Sequence, residues 1–498
     1  MTEQSINRVL IVGGGSSGWM AAAMLARFFS KQLHIQLVES DAIGTVGVGE
    51  STIPPIRTFN EVLGIDEAHF LKHTQGVIKL GIEFENWHQP GKRYMHAFGP
   101  VGRQLGIASF FHYWHKARQN NMAKDYWHYS LNRQAAQQHR FTPMDTIPGT
   151  QLPGLAHAYH LDAGLYAQML RDYSERLGVS RVEGKITRVH QDEQQGHITG
   201  VSLDSGVQLE ADLFIDCSGF RALLIGETLG VDYEDWSHWL PCDRALAVPS
   251  EPADIITPYT RAIAHEGGWQ WRIPLQSRTG NGLVYSHQHL SDDEATHTLL
   301  SNLDTPPLAE PRPILFRTGR RRQQWCQNVV SLGLSSGFLE PLESTSLHLV
   351  QQGLTRLIKL FPQRRVEPSA IAEYNRQSQI EFERIRDFII LHYHLNDKPD
   401  SPFWQQCREA PKPESLMQRI ALFAGTGQVL CEQEELFKEA AWEQVMLGQG
   451  IAPEAYHPLV DNLENQQLQE FMQNWQRLMD NTVANMPTHA DFIATLAQ

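Results

Sequence analysis

The sequence predicts an α/β fold with a Rossmann-like parallel sheet and an appended, mostly helical C-terminal module. Three observations lead to this prediction. A glycine-rich loop joins a short apolar strand to a helix near the start of the chain. A three-strand meander and a further apolar strand follow, and helical patterns dominate after residue 369. Strands that alternate with helices favour a parallel sheet, and a later helical run indicates an added layer.

The glycine loop lies between a strand predicted over Arg8–Val12 and a helix predicted over Trp19–Phe29, and a second strand, His34–Val38, follows. Glycines let the backbone approach a pyrophosphate, the helix start supplies N–H groups, and an acid after the second strand accepts a bond from a ribose hydroxyl. We therefore predict dinucleotide binding, the alternative being a glycine-rich turn without a ligand. The candidate binding residues are Gly13, Gly15, Ser16, Gly18 and Glu39.

The middle of the chain favours FAD over a nicotinamide. A helix predicted over Leu161–Leu177 precedes a meander of three strands, Val182–Val189, Ile198–Leu203 and Val207–Leu209. A buried strand, Asp212–Asp216, then ends in Cys-Ser-Gly. This order resembles FAD-dependent monooxygenases, in which the later strand returns to the cofactor. No second glycine fingerprint is present for a nicotinamide, so we expect the flavin to be reduced by a partner protein.

The composition excludes several other classes of protein. The 498 residues suffice for two or three cores, and 56 acidic against 42 basic residues give a net charge of −14. Nucleic-acid binding needs a basic surface, so no nucleic-acid partner is expected. Neither a signal peptide nor an apolar run of about 20 residues is found, so no membrane partner is expected. Five scattered cysteines without a CxxC pair predict a reduced, cytoplasmic protein.

Residues 269–274 read Trp-Gln-Trp-Arg-Ile-Pro, and their alternation predicts a strand with Trp269 and Trp271 on one face. From the residues alone, an ordinary core strand is the alternative. The segment matches the signature of the flavin-dependent tryptophan halogenase family, which the chain resembles up to about residue 390. The resemblance implies that the two tryptophans form a shielding wall between flavin and organic substrate, without a catalytic role.

Residues 75–87 predict one strand, and spacing alone indicates that Lys79 is solvated. The segment also resembles the lysine-bearing strand of the family. The resemblance implies that the Lys79 ammonium meets the oxidised halogen, either by hydrogen-bonding hypohalous acid or as a haloamine. Residues 47–54 resemble the flavin-contacting loop, which implies that Glu50 contacts the flavin or its gate. Further flavin contacts implied by the resemblance are Val189, Leu334 and Leu347.

Around residue 343 the residues alone favour helix capping by Ser344 or Thr345, with Glu343 exposed, ahead of a helix predicted over Thr345–Leu360. Successive N–H groups at a helix start also form an anion-binding concavity. The resemblance implies that Thr345 and Ser346 hold the halide, with serine where the family often has glycine. It also implies that Glu343 stabilises positive charge on the aromatic ring and accepts its proton.

The same resemblance implies substrate contacts from His96 and Phe98, which form a His-x-Phe element, and from Phe437. Tryptophan-specific members grip the amino acid with a tyrosine pair and an acid. These have no equivalent in residues 425–435, and Trp442-Glu443 replaces the later tyrosine pair. We therefore predict indole or another electron-rich aromatic as substrate, and not free tryptophan.

The implied enzyme is an FADH2-dependent halogenase that uses O₂ and chloride or bromide. Hypohalous acid is guided to the arene by Lys79 and Glu343. Residues 1–390 are expected to form the FAD-binding module with inserted β-rich wall segments, and residues 391–498 a helical module that completes the substrate pocket. A separate flavin reductase acting through diffusible FADH2 is the expected partner, and a homodimer is left open. The alternatives are a hydroxylating FAD monooxygenase and a non-catalytic flavoprotein.

Two remaining clusters are assigned no function. The histidine pairs His112-x-x-His115 and His392-x-His394 have metal-ligand spacing, but aromatic neighbours favour structural histidines, so no metal is expected. The run Arg320–Arg322 is predicted to be a solvated hairpin, with a docking patch as the alternative.

Overall fold

The computed structural model describes residues 6–44, 50–194 and 196–496. The chain forms two compact units, each made of three segments. Unit 1 contains Met1–Gly76, Leu161–Ser237 and Ile314–Glu383, whereas unit 2 contains the rest of the chain. The α/β prediction is confirmed. The functional division predicted at residue 390 stays a prediction.

Unit 1 is built on a six-stranded sheet that is parallel except at one end. Its central strands are apolar and buried, as is typical of parallel sheets. Val12 pairs with Asp216, so the carboxyl ends of two central strands lie side by side. In sheet order the strands are Trp325–Cys326, Val329–Ser331, Leu213–Asp216, Arg8–Val12, His34–Glu39 and Ser180–Glu183.

The predicted meander is confirmed as a three-stranded antiparallel sheet of Ile186–Gln191, Ile198–Leu203 and Gln208–Glu210. The prediction of one continuous strand from Val182 is wrong. Gly184 has a φ of +155°, which breaks the strand, and Ser180–Glu183 joins the parallel sheet instead.

The remaining elements of unit 1 surround these two sheets. Two helices, Ser16–Phe29 and Ala163–Arg176, pack against each other. The remaining strands are Glu50–Ser51, Tyr233–Asp235, Gly319–Arg321 and Gly337–Phe338. The other helices are Pro55–Leu63, Glu67–His73, Ser346–Lys359 and the first part of Pro368–His394, with short turns of helix at Gly219–Arg221, Leu223–Thr228, Gly333–Ser335 and Pro341–Glu343.

The prediction of a solvated hairpin at Arg320–Arg322 is wrong for its first residue. Arg320 is buried and forms an ion pair with Glu234 at 2.8 Å. Arg321 is half-buried, with its guanidinium carbon 5.3 Å from the ring centroid of Tyr233. Two of the three arginines are therefore engaged inside unit 1.

Unit 2 contains a mixed sheet. Thr260–His265 and Gly81–Glu85 are parallel, and the other neighbours described here are antiparallel. In sheet order, the strands of this sheet that lie wholly in unit 2 are Arg244–Ser250, Thr279–Tyr285, Gly268–Pro274, Thr260–His265, Gly81–Glu85 and Arg93–Ala97. A further strand of unit 2 is Val77–Lys79, whereas Ala158–Leu161 and Arg312–Leu315 begin in unit 2 and end in unit 1.

The single strand predicted over residues 75–87 is divided in two. Val77–Lys79 pairs with Ala158–Leu161, whereas Gly81–Glu85 belongs to the mixed sheet. The chain changes sheets at Leu80, whose N–H donates to the carbonyl of Pro258 at 2.8 Å. Lys79 is therefore the last residue of its strand.

Most helices of unit 2 lie in the C-terminal part of the chain, as the helical patterns after residue 369 predict. Breaks between these helices occur after residue 394 and at residues 410–413. Among the helices of the described ranges, none has both the length and the apolar character needed to cross a bilayer. The helices are Phe110–Gln119, Leu131–Gln137, Asp292–Ser301, Pro402–Glu409, Glu414–Thr426, Glu439–Gly448, Asn465–Ala484 and His489–Leu496, with short turns at Tyr126–Tyr129 and Pro458–Asn462.

Candidate active site

The glycine loop of unit 1 has the geometry of a pyrophosphate cradle. Gly13 has a φ of +108°, and a Cβ there would lie 2.2 Å from the carbonyl oxygen of Cys217. A Cβ at Gly18 would lie 1.9 Å from the carbonyl oxygen of Gly13. A Cβ at Gly15 would meet nothing within 4 Å, and Gly15 caps the helix Ser16–Phe29. Two glycines thus allow close packing, while the third leaves open space at a helix start, which fits a phosphate of FAD.

Glu39 lies at the end of the second strand, as predicted, with its carboxylate against the loop. A Cβ at Gly14 would lie 1.5 Å from Glu39 Oε2. Arg181 donates to Glu39 Oε1 at 2.6 Å, and it also pairs with Asp41 and Glu183. Because Arg181 lies 142 residues away in sequence, no local pattern marks it as part of this site.

A second unforeseen residue, Asp216, organises the turns beside the glycine loop. Its buried carboxylate accepts bonds from the N–H groups of Leu224 at 2.8 Å and Ile225 at 2.9 Å. Its carbonyl accepts from the N–H of Leu332 at 2.9 Å and the hydroxyl of Ser335 at 2.5 Å. These bonds fix the turn Gly333–Ser335, which carries Leu334, a predicted flavin contact.

The other predicted flavin contacts are also in unit 1. Leu347 is buried in the helix Ser346–Lys359, and Val189 is half-buried against the core of the meander. Burial raises the pKa of the Glu50 carboxyl to about 7, although part of the residue stays exposed. Residues 45–49 of the predicted flavin-contacting loop lie outside the described residues.

The predicted halide turn is a short helical turn, Pro341–Glu343, followed by a helix from Ser346. Ser344 between them has a φ of +59°, and its hydroxyl lies 3.0 Å from that of Ser51. Thr345 occupies the cap position, but its side chain makes no capping bond. The left-handed residue turns the chain so that the main-chain N–H groups of Thr345 and Ser346 stand at a helix start, where anions are favoured.

Glu343 is fully buried in this turn, at 0% exposure. The interpretation of Glu343 as an exposed residue beside a helix cap is therefore wrong. In the helix Ser346–Lys359 that follows, His348 Nε2 and Arg356 Nη1 contact the Glu381 carboxylate at 3.2 Å and 2.8 Å. Burial raises the pKa of Glu381, but the bonds from His348 and Arg356 outweigh it and leave the pKa lowered. The helix that carries Thr345 and Ser346 is thereby fixed by a buried ion-pair network.

Lys79 is buried in unit 2 at 0% exposure, so the prediction of a solvated lysine is wrong. Its ammonium lies 5.2 Å from the ring centroid of Phe98, within the range of a cation–π contact. Burial lowers the pKa of His160 well below its usual range, and the positive charge of Lys79 lowers it further. The neighbours of the Lys79 ammonium therefore include the Phe98 ring and the neutral imidazole of His160.

The predicted substrate residues lie together in the same unit. The ring of His96 is 6.3 Å from that of Phe98 and 5.9 Å from that of Phe437, at steep angles to both. Phe388, which the sequence did not single out, stacks on Phe437 at 3.9 Å and contacts Trp442 edge-on at 4.8 Å. The sequence carries no signal for Phe388, because its stacking partner Phe437 is distant in sequence.

Trp269 and Trp271 lie on the strand Gly268–Pro274, as predicted, with ring centroids 6.1 Å apart. Both faces of this strand are buried. The polar face is covered because Arg272 pairs with Asp304, and Gln270 donates to the carbonyl of Asn302 at 3.3 Å. Covering both faces makes the tryptophan strand a rigid element of unit 2.

The acids near the predicted substrate residues are engaged with arginines. Arg419 donates to both oxygens of Glu435 at 2.8 Å and 2.9 Å, and Arg384 pairs with Glu432. Burial raises the pKa of Glu435, but these bonds outweigh it and leave the pKa lowered. These two carboxylates are thus neutralised by side chains of the protein itself.

The histidine pairs take part in aromatic and hydrogen-bond contacts. His392 stacks on Phe84 at 4.4 Å and lies 2.8 Å from the hydroxyl of Tyr94 through Nδ1. His115 stacks on Phe111 at 5.8 Å. In the part of the chain that the structure describes, no cluster of three or more potential ligands could hold a metal ion.

The chain is similar to a set of known proteins along most of its length. A family model described as tryptophan halogenase matches residues 8–465. Tryptophan 7-halogenase KtzQ of Kutzneria sp. (strain 744) is 34% identical over 85% of this chain and 82% of that protein. Xcc4156, a flavin-dependent halogenase from Xanthomonas campestris, is 48% identical, with a TM-score of 0.96 and 99% of each chain covered. BrvH, a flavin-dependent halogenase from Brevundimonas sp. BAL3, is 46% identical, with a TM-score of 0.95 and 99% of each chain covered.

Proposed function

We propose a substrate and a set of residue roles for this chain, which belongs to the tryptophan halogenase family. It is a flavin-dependent halogenase, an oxidoreductase that uses reduced FAD, O₂ and chloride or bromide. Enzymes of this kind rely on a separate flavin reductase and act on small aromatic substrates. The alternative of a hydroxylating monooxygenase is not favoured.

The substrate we propose is indole or an indole derivative, and not free tryptophan. An amino acid substrate needs a carboxylate for its ammonium group, but Glu432 and Glu435 are paired with arginines. Glu443, which stands where a tyrosine is expected, is buried and accepts a bond from Tyr126 at 2.5 Å. The two solved structures at 46% and 48% identity are named flavin-dependent halogenases, whereas the relatives at 34% are named tryptophan halogenases.

The observation that carries the proposed mechanism is the burial of Lys79 beside Phe98. The Lys79 ammonium carries three N–H donors on a flexible stem, so it can hydrogen-bond a small polar ligand. We assign the Lys79 ammonium the role of hydrogen-bonding the oxidised halogen. The nearby rings of His96, Phe98 and Phe437 would hold the aromatic substrate. The tryptophan strand would shield the flavin.

Glu343 and the halide turn have the complementary roles. The N–H groups of Thr345 and Ser346 would hold the halide at the helix start. When bound, reduced FAD supplies two electrons to O₂, so that halide is oxidised to hypohalous acid and water is released. Glu343 would stabilise the positive charge that develops on the ring and accept the ring proton as halogen replaces hydrogen.

The flavin itself would be held by the glycine loop. Gly13, Gly15 and Gly18 would let the main chain approach the pyrophosphate, and Ser16 would stand at the helix start. Glu39 would accept a bond from the ribose, with Arg181 fixing its carboxylate. Glu50, Val189, Leu334 and Leu347 would contact the flavin or its gate.

A competition between free indole and tryptophan tests the substrate proposal. Purified protein receives reduced FAD and either bromide or chloride, and products are identified by mass spectrometry. We expect halide-dependent halogenation of indole in preference to tryptophan. A strong preference for tryptophan would refute the substrate proposal, and an oxygenated product without halogen would refute the role given to the halide turn.

Two further expectations accompany these roles. We propose a cytoplasmic location, supported by five free cysteines, Cys217, Cys242, Cys326, Cys407 and Cys431. We also propose that diffusible FADH2 connects the enzyme with its reductase. The oligomeric state, for which the sequence leaves a homodimer open, is measured directly by analytical ultracentrifugation of the purified protein.

A further inference from the structure

Within the residues that the structure describes, the short strand that carries Lys79 has a strand partner on one side only. Val77–Lys79 pairs with Ala158–Leu161, with Lys79 opposite Ala158. Ile78, in the middle of the strand, is fully buried. A buried main-chain N–H needs a hydrogen-bond acceptor, because a buried donor without one destabilises the fold.

The acceptor for the N–H of Ile78 comes from the far end of the chain. The N–H of Ile78 donates to Nε2 of His489 at 3.2 Å, across 411 residues of sequence. The next N–H on the same edge, that of Leu80, donates to the carbonyl of Pro258 at 2.8 Å. The main-chain N–H groups of the residue before Lys79 and of the residue after it thus each donate a hydrogen bond to an acceptor outside the strand.

The other imidazole nitrogen of His489 bonds to the loop that also fixes Leu80. Nδ1 lies 2.9 Å from the carbonyl oxygen of Ile256, two residues before Pro258. A ring that donates through Nδ1 and accepts through Nε2 must be neutral. Burial lowers the pKa of His489 to about 4, so this form persists at neutral pH.

His489 is itself fixed by the docking of the C-terminal helix. It begins the helix His489–Leu496, and its N–H donates to the carbonyl of His139 at 2.7 Å. Three residues further on, Phe492 packs edge-on against Phe141 at 4.8 Å. The helix thus places one imidazole on the open edge of the lysine strand, where a neighbouring strand would otherwise supply a carbonyl.

We propose that His489 is a positioning residue for Lys79, acting through the hydrogen bond from the Ile78 N–H that holds the lysine strand in register. This inference rests on the proposed role of Lys79. Nothing in the sequence marks His489, since it lies 410 residues after Lys79, at the start of the helix His489–Leu496.

Two amide substitutions separate the two bonds of the ring. His489→Gln places an acceptor oxygen near the position of Nε2, whereas His489→Asn places an N–H donor near that of Nδ1. We expect His489→Asn to lower the ratio of halogenated product to FADH2 consumed by up to about 10²-fold, since displacing a reactive group by 1 Å has that effect. His489→Gln is expected to retain most of the ratio.

Hydrogen exchange provides a readout besides activity. We expect the Ile78 amide to exchange faster in His489→Asn than in His489→Gln, as followed by mass spectrometry of peptides over residues 74–84. Phe492→Leu is the matched control, because it removes a ring contact further along the helix but keeps the helix start, where the His489 N–H donates to the carbonyl of His139. It is expected to lower thermal stability while keeping the product ratio.

Three results would overturn the inference. The first is an equal product ratio in His489→Gln and His489→Asn, and the second is an Ile78 amide exchange rate that neither substitution changes. The third is a fall of the product ratio in Phe492→Leu as large as in His489→Asn. A Lys79→Met variant is measured in parallel. If Lys79→Met halogenates normally, the role of Lys79 fails, while exchange at Ile78 still reports whether His489 holds the strand.

Discussion

The tryptophan strand depends on one glycine, and replacing it should displace Trp271 by a distance that the structure defines. Gly282 lies opposite Trp271 on the neighbouring strand. A Cβ on residue 282 would lie 2.0 Å from the Trp271 ring. Carbon atoms need about 3.5 Å, so in Gly282→Ala the ring must move by about 1.5 Å. Overpacking of this kind costs about 1–3 kcal/mol of unfolding free energy.

Chemical denaturation followed by tryptophan fluorescence measures this loss for Gly282→Ala. Gly425→Ala is the control, because a Cβ there meets nothing within 4 Å in the helix Glu414–Thr426. Alanine in a helix is favoured over glycine, so the control should gain up to about 1 kcal/mol. If the tryptophans shield the flavin, Gly282→Ala should also lower the halogenated product formed per FADH2. An unfolding midpoint equal to that of the unsubstituted protein would refute the packing argument.

Three further predictions concern carboxylates. Glu343→Gln removes the proposed proton acceptor, so kcat should fall about 10²–10⁴-fold. The Kd for FAD, measured by fluorescence titration, should stay unchanged. A kcat equal to that of the unsubstituted enzyme would contradict the role of Glu343. Glu39→Gln should weaken FAD binding in the same titration, because the ribose acceptor and the partner of Arg181 are altered, and unchanged affinity would exclude that contact. Burial raises the pKa of Glu443 from 4.5 to about 7. Because folding favours the protonated carboxyl, the contribution of Glu443 to the free energy of unfolding is complete below pH 4.5. This contribution falls by about 3 kcal/mol as the pH rises through 7. The free energy of unfolding of Glu443→Gln, measured by denaturation across this pH range, should not show that decline. Parallel pH profiles of the variant and the unsubstituted protein would contradict the prediction.

Much of unit 1 was predictable because its signals are local. The glycine loop lies directly between a strand and a helix, and the strand boundaries follow from apolar runs that the structure places in a parallel sheet. The first meander strand was mispredicted because Gly184 looked like a minor interruption. Its positive φ instead transfers Ser180–Glu183 to another sheet.

The burial of Lys79 and Glu343 was not predictable from pattern alone. Alternation placed Lys79 on a solvated strand face, because a single-residue change of sheet at Leu80 leaves the apolar pattern intact. Glu343 looked exposed, because capping residues precede many helices. Arg181, Phe388 and His489 reach their sites through contacts 49 to 411 residues distant in sequence, for which a single sequence carries no signal.

The most direct test of the proposed mechanism is the fate of the oxidised halogen in Lys79→Met. Reduced FAD, O₂ and bromide are supplied with indole, and bromoindole is measured beside hypobromous acid captured by a chemical trap. The mechanism predicts that FAD binding and halide oxidation continue, while bromoindole formation falls by about 10²–10³-fold, the usual effect of removing one essential hydrogen-bond donor. Bromoindole formation at the rate of the unsubstituted enzyme would contradict it.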